Sequence, residues 1–94
     1  MKAPTRKEIE VEIAALKEIK PKIKQFSYFG DDNHAAIDAQ ISVLELETSN
    51  EEIDEKRDSG EWSNHEADSA IHALEWMDGD ESEAPSVGWK PLAK

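Results

Sequence analysis

The chain has 94 residues, and its 22 acidic and 11 basic side chains give a formal net charge of −11, so we expect a single domain with a modest core. It contains no cysteine, which excludes disulfides, thiolate zinc sites and cysteine nucleophiles. No apolar run reaches the ~18 residues of a membrane helix, and the N-terminus lacks a signal-peptide core, so we expect a cytoplasmic protein without membrane contacts.

The negative charge lies in the second half of the chain. Residues 1–44 hold seven basic and seven acidic side chains, whereas residues 45–84 hold fifteen acids against Lys56 and Arg57, a balance of −13. Direct binding to nucleic acid is disfavoured, because contacts with phosphates need clustered Lys and Arg. A basic protein or a nucleoprotein complex is the favoured partner.

The first predicted element is a long helix that begins at a capping box over residues 5–8. Apolar residues then recur at steps of three or four from Ile9 to Phe26, and this rhythm continues through Pro21. Proline removes a hydrogen bond and clashes with the preceding turn, so two structures are open. The unbroken rhythm favours a helix that is kinked at the proline and reaches Phe26. In the alternative, the helix ends near Ile19 and Pro21 opens a second short helix.

The second predicted helix lies within Gly30–Leu46 and forms the centre of the core. One of residues 31–33 caps its start, and its apolar residues leave only a narrow polar strip, as expected for a helix that packs between others. The aromatic pair Tyr28 and Phe29 precedes it and is expected to fold onto the core.

A short, exposed helix is predicted in the acidic half. Ser49 and Glu52 form a second capping box, and the helix continues through about Arg57. Its only apolar residue is Ile53, so we expect the helix to be weakly anchored.

The last predicted helix covers about residues 64–78. It begins at a third capping box over residues 63–66 and ends at Gly79. Its apolar face is formed by Ala67, Ala70, Ile71, Leu74 and Met77.

These elements predict an all-α fold. A compact three- to four-helix bundle occupies residues 1–79, and an acidic linker and extended tail with Trp and Pro occupy residues 80–94. Two prolines and a glycine disfavour a regular helix in the tail, so residues 87–92 should be extended. The core candidates are Ile9, Ile13, Leu16, Ile23, Phe26, Phe29, Ile37, Ile41, Leu44, Ile71 and Leu74.

Two histidine clusters are candidates for metal or acid–base sites. His65, Asp68 and His72 share a face of the last helix, but it lies opposite the apolar face and the histidines are two turns apart, so a solvated surface is favoured. His34 and Asp38 belong to the central helix, and no nucleophile or glycine cradle accompanies them. We therefore predict a non-enzymatic protein with no catalytic residue, no metal and no cofactor.

The acidic half and its tryptophans are the predicted partner-binding surface, because carboxylates on rigid helices can replace phosphates and occupy a basic groove. Trp76 lies at the edge of the apolar stripe, where it either anchors a partner or is covered by Val87, Trp89 or Leu92 of the tail; the tail cover is favoured. The predicted partner-binding residues are Glu51, Glu52, Asp54, Glu55, Asp58, Glu61, Trp62, Trp76, Asp80, Glu81 and Trp89.

The acids of the second half could instead have a role that involves no partner. They either form a solvated surface that keeps a small protein soluble, or pair internally with Lys17, Lys20, Lys22 and Lys24. Four lysines cannot neutralise an excess of −13, so a negative field is expected to remain.

The run FGDDNHAAIDAQ, the small size and the acidity together resemble small proteins encoded by phages and prophages. The resemblance is concentrated in residues 26–46 and carries no catalytic motif or transferable site residue. It implies a protein of the host-cell cytoplasm that inhibits host defence or retunes host enzymes by binding them, as anti-CRISPR and anti-restriction proteins do.

The function that the sequence predicts is therefore non-catalytic binding. The chain is expected to inhibit or regulate a basic, nucleic-acid-handling host protein by occupying its positively charged surface, as a DNA mimic would. The alternative is a structural or assembly module, a homodimer joined through aromatic surface near Tyr28, Trp62, Trp76 and Trp89.

Overall fold

Five α-helices form within residues 2–93, the part of the chain that this computed structural model describes. They are α1 (Arg6–Ile19), α2 (Asn33–Leu44), α3 (Asn50–Ser59), α4 (Asn64–Asp78) and α5 (Pro85–Trp89), with 3₁₀ turns at Lys20–Lys22 and Lys90–Leu92. The all-α prediction is confirmed, although the helices outnumber the predicted three to four. None of the described helices has the length and apolarity needed to cross a membrane.

The centre of the molecule is the contact between α2 and α4. From α4, Ala67, Ala70 and Ala73 enter the shared core without exposed surface, and from α2, Ile37 and Leu44 do the same. Alanines at this spacing make one flat stripe on a helix, so the neighbouring backbone can approach closely. The prediction that the second helix organises the core is confirmed.

Pro21 ends α1 instead of bending it. The last helical residue is Ile19, Lys20–Lys22 forms the 3₁₀ turn, and Ile23 has extended backbone angles (φ −101°, ψ 134°). Proline fits the first turn of a helix, where its missing N–H is not needed. The predicted kinked helix to Phe26 is therefore wrong, and the alternative that ends near Ile19 is confirmed.

The aromatic residues that follow α1 lie outside the core. Phe26 is 51% exposed, Tyr28 96% and Phe29 87%, so the prediction that they fold onto the core is wrong. The helical rhythm stops at Ile19, and beyond it the chain enters a tight turn that no longer directs every third or fourth side chain inward. The other core candidates are buried (Ile9, Leu16, Ile23, Ile37, Ile41, Leu44) or half-buried (Ile13, Ile71, Leu74).

The capping boxes predicted at the starts of α1 and α3 are both complete. In each, the hydroxyl accepts from the backbone N–H three residues on, and the carboxylate there accepts from the backbone N–H of the capping residue. At the start of α4 the box is half formed. Ser63 accepts from the Glu66 N–H, but the Glu66 carboxylate bonds the Ser63 hydroxyl instead of its backbone.

The C-terminal segment is helical, so the predicted extended conformation of residues 87–92 is wrong. Pro85 occupies the first turn of α5, where its fixed φ suits a helix. α5 packs against α1 and α4, and Trp89 is only 7% exposed and belongs to the main core. Burial of this large ring outweighs the weak intrinsic stability of a five-residue helix.

Candidate functional site

α3 carries the predicted partner-binding acids on its solvent side. Ile53 has no exposed surface and fixes the helix against α4. At about 100° per residue, Glu51, Glu55 and Asp58 lie on the opposite side of the helix from Ile53, and all three are exposed. We define the α3 acidic face as Glu51, Glu52, Asp54, Glu55 and Asp58.

The α3 acidic face has the charge density of a nucleic-acid backbone. Its five acids fall within eight residues, a helical rise of about 10.5 Å, or roughly one charge per 2–3 Å. B-DNA carries one charge per ~3.4 Å along one strand and one per ~1.7 Å for both strands. Over a length of about three base pairs, the charge per unit length of the face therefore lies between that of one DNA strand and that of the duplex.

Lys56, one of the two bases of α3, is directed away from this face. Its ammonium group donates to the Glu61 carboxylate and lies 5.2 Å from the centre of the Trp62 ring. The hydrogen bond and charge of Glu61, with a further contribution from Glu52, raise the pKa of the Lys56 ammonium above its ordinary value. Lys56 therefore stays charged, and it covers part of the half-buried Trp62.

Arg57, the other base of α3, is also held in ion pairs. Its guanidinium lies 3.3 Å from the Asp54 carboxylate on its own helix and 3.6 Å from the Asp68 carboxylate on α4. Asp54 is consequently the member of the α3 acidic face that forms an ion pair with a described residue, while Glu52 interacts with the Lys56 charge at longer range. The sequence predicted the acids of this face but not the position of its bases, which depends on the packing of α3 against α4.

Pairing with the first half of the chain removes little of the acidic excess. Lys17 lies 3.5 Å from Glu45, while Lys20 binds Asp38 of the first half at 2.8 Å. The remaining two lysines near the end of α1 form no ion pair with a residue of the described range 2–93. Internal pairing with these four lysines therefore involves one acid of the second half.

Trp76 and Glu81 lie together in a second region, away from α3. Both are half-buried and line one hollow with residues 2–4 of the N-terminal segment, whose Ala3 backbone lies close to Gly79. Asp80 directly precedes Glu81 in the sequence and is exposed. The N-terminal segment thus lies beside Trp76, whereas Trp89 and Leu92 of the tail line a different cleft with His65 and His72.

A buried polar hub joins α2, α4 and α5. Gln40 accepts from the indole N–H of Trp89 at 2.8 Å and donates to the Ser69 carbonyl at 2.9 Å. His65 Nε2 lies 3.1 Å from Asn33 Oδ1, and the His65 ring meets the Trp89 ring edge-on with centroids 6.2 Å apart. Trp89, predicted as a binding residue, thus contributes its ring to the interior.

The other two histidines also make structural hydrogen bonds. His34 Nε2 lies 2.7 Å from the Ile23 carbonyl oxygen, and His72 Nε2 lies 2.9 Å from the Glu83 carbonyl oxygen. A carbonyl only accepts, so each Nε2 must carry the proton in these contacts. Across residues 2–93, no three His, Asp or Glu side chains are grouped so that they could hold a metal ion.

An open cleft of about 310 Å³ lies above the hub, between α4 and α5. The buried Pro85 and Trp89 form its floor, Leu92 gives it an exposed apolar side chain, and Asp68 and Glu83 give it acidic groups. The molecule thus offers a charged face on α3 and a cleft of mixed polar and apolar character between α4 and α5. No protein-family model, curated protein or solved structure matches this chain.

Proposed function

We propose that this chain is a non-catalytic binding protein that inhibits or regulates a basic, nucleic-acid-handling protein by occupying its positively charged surface. The observation that carries the proposal is the α3 acidic face. Five exposed acids share it, while Lys56 is paired with Glu61 and Arg57 with Asp54 and Asp68.

The rigidity of α3 supports this function. Ile53 anchors the helix from below, Ser49 and Glu52 cap its start, and Gly60 ends it in the left-handed conformation at φ +81°. Acids held in fixed positions need little ordering when they meet a partner, so more of the electrostatic attraction appears as affinity and association rate. A disordered acidic tail of equal charge would lose this advantage.

The resemblance of residues 26–46 to small phage and prophage proteins favours a target among bacterial defence or DNA-handling enzymes. Such enzymes bind DNA through clustered Lys and Arg. A compact chain of net charge −11 with a DNA-like charge density is suited to compete for that surface, in the cytoplasm of the host cell.

The test compares the wild type with a variant in which Glu51, Glu55 and Asp58 become Gln, Gln and Asn. These residues make no cap and no ion pair with another residue of 2–93. Partners are captured from a bacterial lysate, identified by mass spectrometry, and titrated in purified form. We expect the variant to bind at least about 10-fold more weakly, with a shallower salt dependence.

The control of equal charge neutralises Glu10, Glu18 and Asp31, three exposed acids of the first half, of which Glu10 lies 3.7 Å from Arg6 in an exposed ion pair. Both variants have net charge −8, since three charges are removed from −11. The control should bind its partner like the wild type. Equal losses in the two variants would show that only net charge matters, and unchanged binding in the α3 variant would refute the proposed face.

A further inference from the structure

Residues 84–93 follow α4 and pack back against α1, and they are here called the C-terminal strap. The strap contains α5 and the 3₁₀ turn Lys90–Leu92, and α5 packs against both α1 and α4. α1 and α4 themselves approach each other closely at few positions, whereas each of them packs against α2. The strap therefore closes one side of a molecule whose longer helices are already joined through α2.

The strap has little capacity to keep its own shape. α5 has five residues, one of them Gly88, and an isolated helix of this length is unstable in water. Ala84 stands at its N-cap and has no side-chain acceptor for the free backbone N–H groups of the first turn. The conformation of the strap therefore depends on the groups that it packs against.

Glu12 of α1 supplies the acceptor that Ala84 lacks. Its carboxylate accepts the backbone N–H of Ser86, the second residue of α5 and a donor that N-cap side chains commonly bond. Glu12 is only 8% exposed and forms no ion pair with a residue of the range 2–93. A buried carboxylate of the first helix thus caps the last one.

Two further side chains hold the strap, one from α2 and one from α4. The indole N–H of the buried Trp89 donates to Gln40 Oε1 of α2 at 2.8 Å. His72 Nε2 of α4 lies 2.9 Å from the carbonyl oxygen of Glu83, the residue directly before the strap. The polar attachments of the strap are therefore few, and three different helices contribute to them.

The rest of the core has contacts that do not involve the strap. Ile37 and Leu44 of α2 belong to the contact with α4, and Leu16 of α1 is completely buried as well. Gln40 also donates to the Ser69 carbonyl, so its amide keeps one partner when the strap leaves. A segment with few attachments to an otherwise complete core opens at a lower free energy than the whole molecule.

We propose that the C-terminal strap opens as a unit while α1–α4 stay folded, and that Glu12 is the positioning residue that holds it closed. Opening hydrates the buried Glu12 carboxylate, which offsets part of the lost contacts, and it brings Trp89 into solvent. The inference goes beyond the proposed function and does not rest on it, because the α3 acidic face takes no part in these contacts.

Hydrogen exchange of the Trp89 indole N–H, followed by NMR on the intact chain, tests the opening. This proton exchanges only when its bond to Gln40 breaks and water reaches the ring. We expect its exchange to depend weakly on denaturant, since the open strap exposes little surface, whereas the backbone N–H groups of α2 should show a steep dependence. An indole proton with the same steep dependence as α2 would overturn the proposal.

A change in the distant core distinguishes opening of the strap from global unfolding. Ile53→Ala weakens the packing of α3 on α4, so the most protected backbone N–H groups of α2 should exchange about 30-fold faster or more. The Trp89 indole N–H should exchange at the wild-type rate. Ile53→Val gives the same contrast at about 2- to 10-fold if the alanine variant does not fold. Equal acceleration of both kinds of proton would mean that Trp89 leaves only when the whole molecule unfolds.

Variants of Glu12 test whether its carboxylate holds the strap. Glu12→Ala leaves the Ser86 N–H without its acceptor, so the Trp89 indole N–H should exchange about 10-fold faster or more. Glu12→Gln keeps an oxygen in the same place, and the weaker bond is offset because no charge is buried, so exchange should stay within about 3-fold of the wild type. Glu18→Ala, at an exposed position of α1, is the control and should exchange like the wild type. A glutamine variant that exchanged as fast as the alanine variant would refute the role of Glu12.

Discussion

The α2–α4 core and the turn formed by residues 25–33, here called the aromatic turn, place their apolar side chains in opposite environments. Ile37 and Leu44 of α2 have no exposed surface, whereas Tyr28 and Phe29 are almost entirely exposed. Side-chain burial holds the core together, and backbone hydrogen bonds hold the turn. The difference shows that local order does not require side-chain burial in this chain: the core stabilises the fold, and the turn is ordered while its aromatic rings stay in solvent.

The sharpest test of this difference places the same charge in both regions. Ile37→Asp buries an unpaired carboxylate in a fully closed site, which costs several kcal/mol against a total stability of about 5–15 kcal/mol. We expect this variant to be unfolded by circular dichroism at room temperature.

Phe29→Asp is the matched change in the aromatic turn. Its side chain stays in water, so the melting temperature should remain close to that of the wild type. If Phe29→Asp destabilised the protein as much as Ile37→Asp, the Phe29 ring would stabilise the fold. The distinction between a stabilising core and a turn whose rings do not stabilise it would then be wrong.

Features of this fold that depend on neighbours in sequence could be predicted. Capping boxes need only two residues three positions apart, and those at α1 and α3 formed as predicted. Gly60 and Gly79 end their helices at φ +81° and +89°, as short-range rules require. The acids of the α3 acidic face were identified for the same reason, since helical spacing alone places them together.

A prediction that follows the hydrophobic periodicity past Pro21 misses the aromatic turn. The periodicity continues to Phe26 in sequence, but the helix ends at Ile19. Beyond that residue, the spacing of apolar residues no longer predicts which side chains face the core. The useful signal is Pro21 followed by a short segment that ends at Gly30, which is typical of a turn rather than of a helix.

α5 could not be predicted from its own residues. Its five positions include a proline and a glycine, and it forms because Trp89 finds a buried site and a hydrogen bond to Gln40, 49 residues earlier. The same holds for the pairing of Arg57 with Asp68, which depends on how α3 and α4 meet. Contacts of this range are visible only in the folded chain.

Ile53→Ala tests how far the α3 acidic face depends on the core. Ile53 is the sole buried residue of α3, and removing its side chain should cost about 2–5 kcal/mol and loosen the helix from α4. Chemical denaturation measures the loss in free energy of unfolding. Partner binding by the α3 acidic face should weaken as well, although no acid is changed, because the helix is no longer held in place.

A milder change of the core is Ile53→Val, which removes one methyl group and should cost about 0.5–1.5 kcal/mol. It should keep partner binding near the wild-type level. A variant Ile53→Ala that bound its partner normally would show that the acids act without a rigid helix.

Gln40→Ala removes the centre of the polar hub beneath the cleft. The Trp89 indole N–H loses its acceptor and the Ser69 carbonyl loses its donor, so the free energy of unfolding should fall by about 1–3 kcal/mol. Tryptophan fluorescence should change as α5 loosens. Unchanged fluorescence would mean that Trp89 is held by packing alone.

The smallest expected effect is the pH dependence contributed by Asp32, which caps α2. Its carboxylate accepts the Ala35 backbone N–H at 2.9 Å, and this bond, aided by Gln25 and His34, lowers the pKa of Asp32 below its ordinary 3.8. A lowered folded-state pKa adds stability above the unfolded pKa, and that stability is lost as the pH falls through the folded value.

Asp32→Asn keeps the cap without the charge, so above about pH 5 the variant should be less stable by a few tenths of a kcal/mol. The gap should close as the pH falls toward about 2, because the wild-type carboxyl then loses its charge as well. Taking the difference between the two proteins at each pH removes the effect of the other carboxylates, whose protonation relieves the repulsion of a −11 chain. Asp31→Asn, one residue before the cap, should show no such gap. A gap that widened on acidification would mean that Asp32 stabilises α2 by its protonated form, opposite to the geometry of the cap.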